Sequence, residues 1–343
     1  MPPAPDDGRF LQACRSEPTD VTPVWFMRQA GRYLPDYRAL RAKHSLLELC
    51  HTPELAVEVT LQPVLHLGVD AAILFADLLL PLEALGLGLA FADGEGPRIA
   101  DPIRRPEDVR RLGEVDPEQD LGYVLDAARL AARALPAGVP LIGFAGAPFT
   151  LASYAIEGGA TRTFTVTKRF MYAEPRAWHD LLAHLAELAG RYLAAQAYAG
   201  ARALQLFDSW VGCLSPGDYA AYVLPHSRRA LELAGAPGTP VIHFGTDTAT
   251  LLPDFARAGG NVVGIDWRIP LDVAWEQIGP RAIQGNLDPA ALLAPAPELE
   301  RQTRDVLARA RGRPGHIFNL GHGVLPDTPV EALQRVVEWV HGG

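Results

Sequence analysis

Short apolar runs alternate along this chain with longer segments of amphipathic, helix-forming sequence. The apolar runs occupy eight stretches: 24–27, 71–76, 141–145, 203–207, 241–244, 261–265, 282–285 and 316–320. None of them alternates strongly between hydrophobic and polar residues, which is typical of strands covered by helices on both faces. Eight such strands with helices between them predict an α/β fold, a single (β/α)8 TIM-type barrel.

The segments between the runs carry the helical signals. Helices are predicted over 9–15, 35–50, 52–66, 161–200, 216–234, 298–311 and 330–340, with a break at Pro175. Four glycines among alternating apolar residues predict a hairpin within 86–101. The Pro- and Asp-rich residues 1–8 predict a disordered N-terminal tail, which leaves 9–343 as one barrel domain.

A doubly wound sheet is the competing arrangement of alternating strands and helices. That fold would place a glycine fingerprint, G-x-G-x-x-G, after an early strand. Gly86 and Gly88 do not supply it, and the sequence contains no P-loop pattern. The barrel is therefore the favoured fold.

Composition and charge narrow the class of protein. Of the 343 residues, 48% are hydrophobic and 21% are charged, as in globular proteins with a substantial core. The net charge is −9 without a basic run, so no nucleic-acid partner is predicted. The most apolar window, 78–92, contains Pro81 and Glu83 and falls short of the ~20 residues of a membrane span. With no signal-peptide pattern at the N-terminus, a cytoplasmic protein without a membrane partner is predicted.

The three cysteines, Cys14, Cys50 and Cys213, are scattered along the chain. An odd count without paired spacing argues against a disulfide framework and against a zinc knuckle. They are predicted to be small buried residues in a reducing compartment.

The first apolar run leads into a polar loop that carries two arginines. Residues 28–33 read Arg-Gln-Ala-Gly-Arg-Tyr, and Gly31 can take a backbone shape that other residues avoid. A guanidinium holds a carboxylate or phosphate through two parallel hydrogen bonds, so Arg28 and Arg32 predict an anion site. The alternative is that both are solvated surface charges, but the flanking residues are apolar and aromatic, which favours the site.

An acid follows the second apolar run directly. Active sites of barrels lie at the carboxyl ends of the strands, and Asp77 stands at such an end. The alternative is a helix N-cap, but the apolar residues 78–80 do not resemble the usual polar start of a helix. Arg41 lies on the predicted helix after the arginine loop, where a solvated helix face explains it equally well.

Further polar residues follow the later runs. A site role is possible for Tyr154, but half-buried packing is the commoner alternative for a tyrosine at such a position. Ser209 lacks the G-x-S-x-G elbow of a nucleophile. Asp208 is interpreted as a structural cap and His243 as a satisfied core histidine. The combined rim set is Arg28, Arg32, Asp77, Tyr154, Ser209 and His322, with Arg41 nearby.

This set lacks the pattern of a metal site, of a Ser-His-Asp elbow and of a Schiff-base lysine. It combines cationic anchors, hydroxyl donors, one acid and one histidine. We therefore predict a large polycarboxylate held by arginines, around a central acid that stabilises developing positive charge.

Five segments resemble the uroporphyrinogen decarboxylase family. They are PVWFMRQAGRYLP at 23–35, LFADLLLPLEALG at 74–86, GFAGAPFT at 143–150, LQLFDSWVG at 204–212 and FNLGHGVLPDTP at 318–329. The resemblance extends from Arg9 to the end of the chain. It implies a (β/α)8 barrel, a cytoplasmic homodimer, and conversion of uroporphyrinogen III to coproporphyrinogen III by release of four acetate carboxyls as CO2. It also implies that no metal or organic cofactor takes part.

The resemblance also implies roles for individual residues. Asp77 would accept the pyrrole N–H groups and stabilise a protonated ring, and Arg28 and Arg32 would join it as catalytic residues. The implied substrate-binding residues are Arg28, Gln29, Ala30, Gly31, Arg32, Arg41, Asp77, Tyr154, Phe207, Ser209 and His322.

Two other functions compete with this one. Related barrels transfer methyl groups to thiols with a zinc ion held by His-x-Cys on the fifth strand and a later cysteine. Here 243–245 reads His-Phe-Gly and no cysteine follows Cys213, which argues against that function. A non-catalytic tetrapyrrole carrier is the third interpretation, and the intact acid and arginines argue against it.

Overall fold

The computed structural model describes residues 8–92, 96–236 and 238–342. Its strands are β1 Ala72–Ile73, β2 Leu89–Ala92, β3 Gly96–Ile99, β4 Leu141–Gly146, β5 Ala203–Asp208, β6 Val241–Gly245, β7 Val262–Gly264, β8 Ala282–Gln284 and β9 His316–Ile317. Seven of them form one sheet in the order β1-β4-β5-β6-β7-β8-β9. All neighbours in that sheet are parallel, as in the register Leu204↔Val241 between β5 and β6.

Helices separate the strands of this sheet along the chain. The first nine are α1 Gly8–Cys14, α2 Pro35–Arg41, α3 Leu46–His51, α4 Pro53–Leu67, α5 Leu80–Ala84, α6 Pro106–Arg110, α7 Pro117–Asp120, α8 Gly122–Ala134 and α9 Pro148–Glu157. The others are α10 Thr165–Ala173, α11 Pro175–Tyr198, α12 Pro216–Tyr222, α13 Leu224–Ala234, α14 Leu252–Ala258, α15 Leu271–Ile278, α16 Ala296–Ala310 and α17 Val330–His341. In the described part of the chain, no helix is long and apolar enough to cross a membrane.

Several predicted elements are confirmed. Seven of the eight apolar runs contain strands of the parallel sheet, and β2 and β3 form the predicted antiparallel hairpin. The predicted break at Pro175 separates α10 from α11. Of the predicted tail 1–8, residues 1–7 lie outside the described residues, and Gly8 begins α1.

The predicted first strand, 24–27, is not a strand of this sheet. Only Val24 pairs, in an isolated parallel bridge with Phe318. The backbone N–H of Phe26 donates to Gln29 Oε1 at 3.0 Å, and that of Met27 donates to Asn319 Oδ1 at 3.0 Å. Side-chain acceptors thus take the donors that a strand would use, so the ladder does not extend beyond the bridge.

The single helix predicted over 35–50 is also wrong, because the chain turns between α2 and α3. Ser45 caps α3: its hydroxyl accepts from the Glu48 N–H at 3.1 Å, and Glu48 Oε2 accepts from the Ser45 N–H at 2.6 Å. This reciprocal capping box starts a new helix at Leu46. The turn lies beside the arginine loop and exposes Lys43.

A chain of buried polar side chains crosses the concave side of the parallel sheet. Gln284 Nε2 on β8 donates to Gln205 Oε1 on β5 at 3.1 Å, and Trp25 Nε1 donates to Gln284 Oε1 at 3.0 Å. Two strands, β6 and β7, separate β5 from β8 in the sheet order. Such a contact requires the sheet to curl, because a flat sheet would keep strands three places apart well beyond hydrogen-bonding distance. The curl directs the carboxyl ends of the strands toward one region.

Candidate active site

An open cavity of about 1390 Å³ lies at the carboxyl ends of the strands. It contains nine of the eleven residues predicted to bind a ligand. They are Arg28, Ala30, Gly31, Arg32, Arg41, Asp77, Phe207, Ser209 and His322. Residues from five separate sequence segments therefore share one surface.

The arginine loop adopts a different backbone shape from the one expected. Arg28, not Gly31, has the left-handed conformation, with φ of 58°. Gly31 is needed for another reason: a Cβ there would lie 2.9 Å from the Arg28 carbonyl oxygen. A non-glycine residue in the left-handed region is uncommon and is stabilised only by its surroundings. Both Arg28 and Arg32 are exposed to the cavity.

Arg41 reaches the cavity from the end of α2. Its Nη1 donates to the carbonyl oxygen of His44 at 2.5 Å, which ties the guanidinium to the turn that follows. The side chain is half-buried and lines the cavity with its neighbours Lys43 and His44. Arg41 therefore supports the turn between α2 and α3 and also contributes positive charge to the cavity.

Asp77 is the central acid of the cavity. Burial raises the pKa of its carboxyl to about 6, although the Leu79 N–H and the Arg28 charge act in the opposite direction. The Leu79 N–H donates to Asp77 Oδ1 at 2.9 Å, so the carboxylate also holds the turn after β1. The helix N-cap interpretation is wrong, because Leu79 is the N-cap of α5 and no side chain caps that helix. The Asp77 side chain instead supports the turn before α5 and faces the cavity.

His322 lies near Arg28 and belongs to the segment Gly321–Gly323. Burial lowers the pKa of the imidazole to about 4, and the charges of Arg28 and Arg268 act in the same direction. The Gly323 N–H donates to His322 Nδ1 at 2.6 Å. Nδ1 is thus an acceptor, and in the neutral ring Nε2 carries the hydrogen. His322 can therefore donate one hydrogen bond in the cavity without carrying a charge.

Aromatic residues form the apolar part of the cavity. The Phe207 ring meets Phe144 edge to face at 5.6 Å between centroids, and it meets Phe244 at 5.7 Å. All three rings line the cavity, and they come from the adjacent strands β4, β5 and β6. They provide an apolar surface of mutually tilted rings in the cavity.

Two of the predicted ligand-binding residues do not line the cavity. The Gln29 side chain is fully buried, where Nε2 donates to the Ala71 carbonyl at 3.0 Å. Gln29 thus joins the arginine loop to the start of β1. Tyr154 stacks on Trp210, with 3.7 Å between ring centroids, and burial raises the pKa of its hydroxyl to about 12.

The structure adds cavity residues that the sequence reasoning missed. Lys43 and His44 were not recognised, because the helix predicted over 35–50 placed them within a helix and not in a turn. Trp267 also lines the cavity. It comes just after the predicted strand 261–265 and Asp266, as the other predicted site residues come after their strands, and this position could have identified it. The Arg268 guanidinium lies 4.1 Å from the Trp267 ring centroid.

Asp208 and His243 lie outside the cavity lining. Asp208 is fully buried, and its Oδ1 accepts from the Thr150 hydroxyl at 2.9 Å. Burial raises the pKa of this carboxyl to about 7. His243 is also fully buried, stacked 3.6 Å from the Phe255 ring. Among the described residues, no group of three or more His, Cys, Asp or Glu side chains could hold a metal ion.

Comparison with known proteins identifies the family. The family model "Uroporphyrinogen decarboxylase (URO-D)" matches residues 5–343. The chain belongs to the uroporphyrinogen decarboxylase family. A uroporphyrinogen decarboxylase of Sorangium cellulosum is 58% identical, over 97% of this chain and 95% of that protein. Those of Chloroflexus aggregans and Carboxydothermus hydrogenoformans are each 56% identical over 97% of this chain, covering 94% and 95% of those proteins.

Solved structures that resemble this member of the uroporphyrinogen decarboxylase family support its fold. A methyltransferase from Methanosarcina mazei has a TM-score of 0.83 and 19% identity, over 98% of both chains. A B12-independent methionine synthase from Shewanella has a TM-score of 0.56 and 12% identity, over 83% of this chain and 86% of that one. At these identities the likeness concerns the fold alone.

Proposed function

We propose that this chain is a uroporphyrinogen decarboxylase, which converts uroporphyrinogen III to coproporphyrinogen III in porphyrin and haem biosynthesis. It is a carboxy-lyase that uses no metal and no organic cofactor. The observation that carries the proposal is the cavity that brings Arg28, Arg32 and Asp77 together, in a chain that belongs to this family.

The charge and size of the cavity support a large anionic substrate. Its lining carries three arginines and one lysine, Arg28, Arg32, Arg41 and Lys43, against two acids, Asp77 and Asp288. This local excess of positive charge occurs in a protein with a net charge of −9. The volume of about 1390 Å³ exceeds the roughly 300–1,000 Å³ of pockets for drug-sized ligands. An octacarboxylate macrocycle fits both properties.

Asp77 acts on the macrocycle through its charge. As a carboxylate it accepts hydrogen bonds from the pyrrole N–H groups, and these bonds favour its ionised form. When a ring carbon takes up a proton, the carboxylate stabilises the resulting cation. This electrostatic stabilisation is the role that we assign to Asp77.

The ring is the electron sink of the reaction. The bond between the acetate methylene and its carboxylate breaks, its electron pair passes into the protonated ring, and CO2 leaves. A second proton adds to the methylene carbon to give a methyl group, and the ring then releases the first proton. Each cycle therefore exchanges one CO2 for one proton.

The remaining cavity residues hold the substrate. Arg28, Arg32 and Arg41 bind its carboxylates, and Ser209 and His322 donate further hydrogen bonds. Tyr154, which stacks on Trp210 outside the cavity lining, is not assigned a substrate contact. Phe207 packs against the macrocycle, while Ala30 and Gly31 shape the loop beneath it and Gln29 supports that loop from inside. Arg28 and Arg32 assist catalysis as charges and not as acids, because a guanidinium does not lose its proton in proteins.

We further propose that residues 9–343 form one closed eight-strand barrel. Three backbone hydrogen bonds support closure: Val24 O accepts from Asp70 N at 2.8 Å, and the segment 23–25 exchanges two bonds with Phe318.

The family resemblance supports a homodimer in the cytoplasm, and all three cysteines are free thiols. Light scattering of the purified protein tests the dimer, which predicts twice the chain mass of 37.0 kDa.

Anaerobic incubation of the purified protein with uroporphyrinogen III, followed by chromatography of the oxidised products, tests the activity. Coproporphyrin should accumulate, and unchanged uroporphyrin would contradict the proposal.

The variant Arg32→Ala tests, in the same assay, whether Arg32 binds the substrate. Losing one charge-assisted contact costs about 1.5–3 kcal/mol, so KM should rise roughly 10- to 100-fold. An unchanged KM would remove Arg32 from substrate binding.

A further inference from the structure

The side chain of Arg28 lies directly against the backbone of Gly323. A Cβ built on Gly323 would lie 2.6 Å from Arg28 Cγ and 3.0 Å from Arg28 Cβ, and still closer to Cδ. Real Cβ atoms essentially never approach other heavy atoms within 3.0 Å. The arginine therefore occupies space that is available only because residue 323 has no side chain.

The backbone conformation of Gly323 does not require a glycine. Its φ is not among the positive values of the described residues, so alanine is compatible with the local chain. The restriction at this position comes from the neighbouring Arg28 side chain and not from the turn itself.

The arginine loop cannot move away as a unit to accommodate a larger residue. The Val324 N–H donates to the Met27 carbonyl at 2.9 Å, and the Met27 N–H donates to Asn319 Oδ1 at 3.0 Å. These two bonds fix the backbone on one side of Arg28, and Gly31 approaches its carbonyl closely on the other. A methyl group at 323 would therefore displace the Arg28 side chain before it displaced the loop.

We propose that Gly323 is a positioning residue, whose missing side chain seats the Arg28 guanidinium in the cavity beside Asp77 and His322. This inference rests on the substrate-binding role proposed for Arg28. It assigns a function to the second glycine of Gly321–Gly323, which has no side chain of its own to bind a substrate.

The position of the Arg28 guanidinium can be measured through the pKa values of its neighbours. The Arg28 charge acts to lower the pKa of both Asp77 and His322. If the guanidinium moves away, both pKa values rise. A change that only loosened the fold would have no reason to move these two titrations in the same direction.

The experiment compares Gly323→Ala with Arg28→Ala, the double variant and a matched control, Gly122→Ala. Gly122 begins α8, has no atom within 4 Å of a built Cβ and no positive φ, so the same substitution there should leave kinetics unchanged. For Gly323→Ala we expect KM to rise roughly tenfold and the acid limb of kcat/KM to move to higher pH. Circular dichroism of each variant monitors the fold.

The double variant separates positioning from other effects. If Gly323 acts through Arg28, the double variant should resemble Arg28→Ala alone, because residues that act as a unit are not additive. If Gly323→Ala unfolds, the double variant should regain stability, since truncating Arg28 removes the clash with Cγ and Cδ.

Each failure points to a different conclusion. Wild-type KM and pH profile in Gly323→Ala would overturn the positioning role while leaving the proposed function intact. Fully additive losses in the double variant would also overturn it. Wild-type kinetics in Arg28→Ala would instead overturn the binding role of Arg28, on which this inference rests.

Discussion

Two aspartates at the carboxyl ends of strands differ in what surrounds them. Asp77 lies four residues beyond β1, and it faces the large cavity and the Arg28 charge. Asp208 is the last residue of β5, fully buried, with the Thr150 hydroxyl on Oδ1 and no partner on Oδ2. The first can meet a ligand, whereas the second can meet only the protein.

Burial raises the pKa of both carboxyls, to about 6 for Asp77 and about 7 for Asp208. A raised pKa therefore does not by itself identify the reactive acid. Perturbed groups concentrate at functional sites, but structural burial perturbs them too. Access to the cavity distinguishes the two residues, and the following predictions test that distinction.

The largest expected effect is that of Asp77→Asn on turnover. The amide keeps the shape and the oxygen that accepts from Leu79, but it loses the charge proposed to stabilise the protonated ring. Removing one group aimed at developing charge costs on the order of 10²–10³ in kcat. The release of CO2 under anaerobic conditions measures it, with circular dichroism as the control for folding. Turnover within a few-fold of the wild type would remove Asp77 from the mechanism.

The pH dependence of kcat/KM should follow the ionisation of Asp77. The carboxylate is the active form, so activity should fall about tenfold for each unit of pH below about 6 and reach a plateau above it. The profile is measured on the wild type and on Asp208→Asn. If the substitution at 208 abolished the acid limb, the assignment of roles would be reversed.

Asp208→Asn should change stability and not catalysis. A carboxyl whose pKa is raised in the fold binds its proton more tightly there, so its contribution to stability falls as pH rises from about 4 to about 7. The variant lacks this loss and should be more stable at pH 8 by up to about 4 kcal/mol. Urea unfolding at pH 5 and pH 8 measures the difference. An equal stability difference at both pH values would contradict this account.

Thr150→Val should have the smallest effect. It removes the hydrogen bond to Asp208 and leaves a buried carboxyl without its donor, which costs about 1–3 kcal/mol of stability. The pKa of Asp208 should rise further, since this hydroxyl lowers it. Urea unfolding of Thr150→Val and of the double variant with Asp208→Asn should show that the two substitutions are coupled.

Most of the fold could be predicted from the sequence, because hydrophobic periodicity and apolar runs reflect which residues are buried. Seven strands of the parallel sheet were predicted in this way. The first run failed because Gln29 and Asn319 take its backbone donors. The hydrogen bond to Asn319 spans 292 positions and leaves no local trace in the sequence. The split between α2 and α3 had a visible signal, since Ser45 and Glu48 have the spacing of a capping box.

The candidate site could be predicted only in part. Residue type and position after a strand identified Arg28, Asp77 and His322, but not whether a side chain points into the cavity, as the buried Gln29 shows. The left-handed backbone of Arg28 could not be predicted, because nothing about an arginine favours that conformation. The residue against which its side chain lies, Gly323, is far away in the sequence.

The excess of positive charge around the cavity has a consequence for the order of events in the proposed reaction. Each decarboxylation removes one negative charge from the ligand, so a molecule that enters with eight leaves with four. The Coulomb attraction to Arg28, Arg32, Arg41 and Lys43 declines at every cycle. The lining that binds the fully charged macrocycle thus releases the product more readily. The falling negative charge of the ligand marks how many of the four decarboxylations have taken place.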